Sequence, residues 1–160
     1  MRHVEHAMGT VFSFDIRDAV TPAVAAALHE AVAWLHHVDA LFSTYRPDSA
    51  VSRLARGETT VEQCPAEVGE ALRLCAEAER VTHGWFSATA GGGLDPSGLV
   101  KGWAVERASE ILHAAGAHHT SVNGGGRRAA EGRGGPGRAV ADRDSGSPAA
   151  RGAARRRFLP

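Results

Sequence analysis

After Gly126 the sequence loses every pattern from which a core is built, and this bounds the fold more tightly than any motif. Residues 127–160 hold nine arginines, eight alanines, six glycines and three prolines, with Val140, Phe158 and Leu159 as the only larger apolar side chains. Such a stretch buries too little apolar surface to offset the entropy of ordering it. The fold must therefore come from residues 1–126, a length that supports one domain with its own core. Charge divides at the same place. A formal net charge of zero is the sum of 9 basic and 15 acidic side chains before residue 127 and 9 arginines against 3 acids after it.

Composition narrows the class further. Cys64 and Cys75 stand eleven residues apart, a spacing that fits neither a redox pair nor a zinc knuckle, so both read as reduced thiols. The start, "MRHVEHAMGTVFSF", lacks the apolar stretch of a signal peptide, and no run approaches a membrane span. The expectation is a cytoplasmic protein.

Within residues 1–126 the periodicity changes from two to helical and back. Residues 4–17, with Val11, Phe12, Phe14 and Ile16, read as a strand or hairpin pair. Thr21 caps a helix that tolerates Pro22 at its first position and buries Val24, Leu28, Ala31, Leu35, Val38 and Phe42. Pro47 ends that pattern, and Asp48 or Ser49 caps a short helix closing near Gly57. A second long helix opens at Pro65, runs through Val68, Leu72, Cys75 and Val81, and stops at Gly84. A third begins at residues 98–101, carries Val105, Ala108, Ile111 and Leu112 on one side, and ends at Gly116. "HHTSV" is then a short strand leading into "NGGG". Helices and strands segregate, so the class is α+β.

One stretch invites chemistry. "GGGLDPSGLVKGWAVERASEIL" runs three glycines through an Asp-Pro turn into a helix with Lys101 one turn inside. A helix N-terminus with a lysine beside it suits an anion. The pattern lacks the Gly-Lys-Ser/Thr of a P-loop and the dinucleotide glycine fingerprint, and a tight turn that merely caps a helix explains it equally well. Tyr45 and Arg46 suit a heterocycle and a phosphate, or form a surface turn. Met8 reads as a ligand contact or as core filler. The histidine pairs 3 and 6, 36 and 37, 118 and 119 do not form a helical metal-binding pair backed by a carboxylate.

Taken in order, "HAMGTVFSF", "LFSTYRPDSAVSRL", "LDPSGLVKGWAVERASEIL" and "SVNGGG" resemble the ApbE family of FAD:protein FMN transferases across residues 3–126. The resemblance implies the N-terminal half of an ApbE-like, T-fold-related α+β domain. It implies FAD as flavin donor, Mg²⁺ as cofactor, and transfer of FMN to a threonine hydroxyl of a flavoprotein acceptor with release of AMP; some members hydrolyse FAD instead. By resemblance Met8 and Tyr45 contact FAD, Trp85, Phe86 and Ser87 line the flavin, and Asp95 and Lys101 hold the cofactor. Lys101 would be the catalytic group that positions and neutralises the pyrophosphate, and Gly98 would offer a main-chain oxygen to the metal. One departure is Gly84-Trp85-Phe86-Ser87 where the family commonly has Gly-Ala-Phe-Asp.

The other departure follows the glycines. There the family continues into a β-rich half that supplies an Asp and a Thr to the metal, while this chain has arginine-rich text. Arg127-Arg128-Ala129 is encodable as CGA CGT GCG, which one base later begins Asp-Val. "RAVADRDS", residues 138–145, is encodable so that the same shift gives "APWRIGIR", similar to the family's own segment. Residues 127–160 therefore read as a low-complexity, disordered tail produced by a single-base frameshift. The chain as written is expected to be incomplete and inactive, with strands short of neighbours and edges unpaired. The alternatives are a non-catalytic FAD-binding remnant and an arginine-rich arm for nucleic acid, the latter without accompanying aromatics.

Overall fold

A computed structural model of the chain describes residues 1–131. Strands β1 (Arg2–Ala7) and β2 (Thr10–Ile16) pair antiparallel from Arg2↔Asp15 to Ala7↔Thr10. Their two-residue turn, Met8-Gly9, has φ of 50° and 66°. Two successive positive φ values make a hairpin turn whose twist matches the strands, a geometry that glycine takes freely and methionine does not.

Helix α1 (Pro22–Phe42) follows. Thr21 caps it, its hydroxyl accepting from the Val24 amide at 3.2 Å. The apolar stripe expected of α1 is its buried face: Val24, Leu28, Ala31, Leu35, Val38 and Phe42 are all buried. Helix α2 (Ala50–Ala55) is capped by Ser49, whose hydroxyl accepts from the Ser52 amide at 3.1 Å. After a 3₁₀ turn at Val61–Gln63, α3 (Ala66–Val81) ends where Gly84, at φ 83°, returns its amide to the Glu79 carbonyl. Val68 and Cys75 are buried as the spacing predicts, and burial pushes the Cys75 thiol up. Val81 is not on that face: it is 54% exposed, because at about 100° per residue it lies about 120–140° around the helix from Cys75 and Val68.

Helix α4 (Ser97–Ala114) and strands β3 (Thr120–Gly124) and β4 (Arg127–Glu131) complete the described chain. The sheet order is β1-β2-β3-β4, each neighbour antiparallel. Two expectations need correction here. The pattern does not end at residue 126, because Arg127–Glu131 pair with β3 through a second turn, Gly125-Gly126, with φ of 57° and 80°. The expected shortage of neighbours holds only in part: β2 and β3 are paired on both sides, while β1 and β4, the first and last strands of the sheet, each have one strand neighbour among the described residues. The frameshift and disorder read for the tail otherwise lie outside the described residues.

The architecture is a mixed one, a small antiparallel sheet with helices on one face. Phe12, Phe14, Ile16 and Val122 alternate toward α1 and α4, where Leu35, Val38, Val105 and Leu112 meet them with almost no exposure. Each such side chain contributes about 1.5–3 kcal/mol by leaving water. Close approach is built in at one point: a Cβ on Gly124 would stand 2.3 Å from the Phe12 ring. Among the described residues no helix is long and apolar enough to cross a membrane.

Candidate functional site

Three separated segments meet at the end of the sheet where the β1–β2 turn lies. Met8 and Gly9 come from that turn, Asp39 and Phe42 from the last turn of α1, Ser43, Thr44 and Tyr45 from the loop after it, and Asp95, Ser97, Val100 and Lys101 from the entry to α4. They line a pocket of about 130 Å³. Ligand sites for whole small molecules run to roughly 300 Å³ and more, so this pocket has room for only part of such a molecule.

Local chemistry fixes each wall. The positive φ of Met8 is an uncommon state for a branched-free apolar residue outside glycine, and such positions concentrate at functional sites. The loop after α1 is tied down by its serines: the Ser49 and Ser52 hydroxyls both donate to the Ser43 carbonyl, at 2.7 and 3.2 Å. Tyr45 is thus 94% exposed on a braced loop, its ring presented to solvent at the pocket mouth. Arg46 is not in the lining. Its guanidinium forks onto Asp48 at 3.3 and 2.9 Å, which holds the Asp48 carboxyl below its usual range.

The entry to α4 departs from a bare anion cradle. Asp95 Oδ1 accepts from the Ser97 amide at 3.0 Å, and the Leu99 and Val100 amides both donate to the Pro96 carbonyl. The amides of these three residues are thus engaged, so positive charge at this wall comes from Lys101 and the helix dipole. The Lys101 ammonium has no ion-pair partner among the described residues. Asp95 thus closes the turn that leads into α4 and also lines the pocket.

Of the site residues named from sequence, Met8, Tyr45, Asp95 and Lys101 are brought together. Trp85, Phe86, Ser87 and Gly98 stand off this pocket. Trp85 is 95% exposed just past α3. The Ser87 hydroxyl accepts from the Thr89 amide at 3.2 Å. Phe86 packs on Gly98, where a Cβ would come within 3.2 Å of the ring, so the segment braces the first turn of α4 from below. Asp95 joins this brace through its amide, which donates to the Ala88 carbonyl at 2.7 Å.

Asp39 is the pocket residue that sequence reasoning missed. A signal existed: an acid in the last turn of a helix opposes the dipole, which disfavours negative charge there. It lines the same pocket as Lys101 and Asp95. As for metal, the oxygen donors present, Asp39, Asp95 and nearby hydroxyls, are of the kind Mg²⁺ takes. Among the described residues no group of three or more His, Cys, Asp or Glu is placed to hold a metal ion. The histidines go elsewhere: His3 and His36 to Glu5, His37 to Glu67, and His119 to Asp18.

The decisive observation is a family match over residues 8–93, from the Met8 turn to the glycines before Asp95. The chain belongs to the ApbE family. Solved structures agree on the fold: the flavinyl transferase ApbE of Pseudomonas stutzeri, apo form, matches with TM-score 0.69 at 21% identity over 83% of this chain and 58% of its own. Flavin transferase ApbE from Vibrio cholerae gives 0.65 at 16%, over 82% and 59%, and the ApbE protein of Thermotoga maritima 0.63 at 16%, over 81% and 58%. This ApbE family member thus spans about three-fifths of the solved structures it matches. No curated protein matches the sequence.

Proposed function

We propose that this chain carries the flavin-dinucleotide part of an FAD:protein FMN transferase site, which moves FMN from FAD to a threonine hydroxyl of an acceptor flavoprotein and releases AMP. The observation that supports it is the convergence of Met8, Tyr45, Asp95 and Lys101 on one pocket, from three segments that the resemblance picked out separately.

The residues have distinct tasks. Lys101 places an uncommitted ammonium where a pyrophosphate would lie, neutralising negative charge that builds as the phosphoanhydride breaks. Tyr45 offers a flat face at the mouth for a heterocycle to stack on. Met8, fixed by its turn, closes the apolar side of the pocket. Phe86 and Ser87 keep the α4 entry in place, and Trp85 extends an apolar surface beside it for the flavin. By the resemblance Asp95 would hold the cofactor and the Gly98 main-chain oxygen, one turn from it but outside the pocket lining, would be offered to Mg²⁺, with the remaining ligands from outside residues 1–131. Bound there, the ion supplies Lewis-acid neutralisation of phosphate charge.

The test is to incubate the protein with FAD, Mg²⁺ and a threonine-bearing flavoprotein acceptor, and to follow AMP release and in-gel flavin fluorescence of the acceptor. The chain as written is expected to give no transfer; in a full-length form with the reading frame restored, transfer that slows about 10²–10³-fold in Lys101→Ala is the expected result. In that form, FAD binding with neither AMP release nor labelling would favour the second reading, a flavin-binding module without transfer. No flavin binding at all would remove both.

A further inference from the structure

Asp39 is placed against its own helix. It lies in the last turn of α1, where the dipole disfavours negative charge, and no basic side chain stands in that turn to offset it. Its carboxylate has no hydrogen-bond or ion-pair partner among the described residues, although the residue is partly buried. Arg46 feels the Asp39 charge through space, but its guanidinium forks onto Asp48. A partly buried carboxylate without a donor weakens a fold, and residues that break a local rule in this way concentrate at functional sites.

A second uncommitted charge lines the same pocket. Lys101 comes from α4, and no ion pair joins it to Asp39. Asp95, the other carboxylate of the lining, is engaged by the Ser97 amide at 3.0 Å. Helices α1 and α4 thus each bring one unpaired charge, of opposite sign, to a space of about 130 Å³. A cavity of about 150 Å³ takes one benzene molecule, so a single group that fills this pocket meets both charged walls.

Two such charges suit a group that carries hydrogen-bond acceptors and a donor side by side. The phosphate ester of a sugar is one: its phosphate oxygens accept from an ammonium, and a neighbouring hydroxyl donates to a carboxylate. Bare pyrophosphate gains from Lys101 and is repelled by Asp39. We infer that Asp39 is a ligand-binding residue that accepts from a hydroxyl next to the phosphate held by Lys101, and so selects sugar phosphates over pyrophosphate alone. The Lys101 half of this rests on the proposed function; the Asp39 half rests on its unpaired carboxylate in the same pocket. FAD offers two such hydroxyl sources, the ribityl chain and the ribose.

The test is calorimetric titration of the full chain, with Mg²⁺ present, using FAD, FMN, ADP and inorganic pyrophosphate against wild type, Asp39→Ala and Lys101→Ala. The expected result is that Asp39→Ala weakens FAD binding about tenfold while pyrophosphate binds as well or better. Its thermal midpoint should stand at or above that of the wild type, since the charge opposing the dipole is gone. Lys101→Ala should weaken both ligands. A matching loss for FMN assigns the hydroxyl to the ribityl chain, and one for ADP assigns it to the ribose. Unchanged FAD affinity in Asp39→Ala, with a loss in Lys101→Ala, overturns the inference and leaves the flavin reading standing. Equal weakening of FAD and pyrophosphate, with or without a lower midpoint, also overturns it, because Asp39 would then act on the phosphate, its ion or the fold. No FAD binding by the wild type removes the inference and the flavin reading together.

Discussion

The ring of Phe42 stands edge-on to Trp103, centroids 6.0 Å apart at 76°, so one buried side chain from α1 serves both the pocket wall and the helix interface. This places the stability of the helix interface and the shape of the pocket at a single position. Phe42→Ala should cost about 3–5 kcal/mol in urea unfolding, because the vacated space has little freedom to collapse between two helices. Phe42→Leu should cost far less yet still weaken FAD binding, since the edge contact to Trp103 is lost. Unchanged FAD affinity in the leucine variant would show that Phe42 acts only in the core.

The Phe12 ring and the Gly124 backbone cannot both stay in place if a methyl group is added. Gly124→Ala puts a Cβ 2.3 Å from the ring, and the variant should lose about 1–3 kcal/mol or more in denaturant midpoint. Phe12→Leu in the same chain should recover part of that loss, which separates the steric clash from a general weakness of β3.

Asp18 ties the loop after β2 to the start of β3. Its carboxylate accepts from the His119 amide at 2.6 Å and faces the His119 ring at 2.7 Å, and these bonds, the amide first, hold its pKa below the usual value. A depressed carboxyl pKa means that the stabilisation is present above the unfolded-state value of about 4 and is lost as pH falls through the lower folded-state value. Asp18→Asn should therefore lower Tm at pH 7, and the gap from wild type should shrink as the pH is taken below about 4. A gap that is constant with pH would mean that the charge is not what matters.

The N-terminus of α1 rests on one hydroxyl. Thr21→Ala removes the acceptor for the Val24 amide and should cost about 1 kcal/mol, while Thr21→Ser should cost little. Thermal unfolding of the two variants side by side distinguishes cap loss from any change in loop packing.

How legible the sequence was depends on what carried each signal. Helix α1 was readable residue by residue, because its buried face repeats at helical spacing and both ends carry chemical markers, Thr21-Pro22 and Pro47. The family was legible from four motifs in order, although no single one of them carries it. Strand β4 was hidden, since Arg127-Arg128-Ala129-Ala130-Glu131 has no alternation, and its pairing comes from backbone hydrogen bonds and a glycine turn. Asp39 carried a local signal, an acid against the helix dipole, but its place in the pocket depends on α1 and α4 lying side by side, which that signal does not encode. The amides at the entry to α4 looked available from sequence, yet Asp95 and the Pro96 carbonyl take those of Ser97, Leu99 and Val100, a matter of geometry within one turn.

The central claim is that the Lys101 pocket receives the phosphates of a flavin dinucleotide. Fluorescence titration of FAD and of riboflavin, which shares the ring and lacks phosphate, against wild type and Lys101→Ala in the presence of Mg²⁺ tests it most directly. The account predicts saturable FAD binding by the wild type at least about tenfold tighter than riboflavin, a preference that Lys101→Ala abolishes. Equal affinity for the two flavins, or an FAD preference that survives Lys101→Ala, would contradict it.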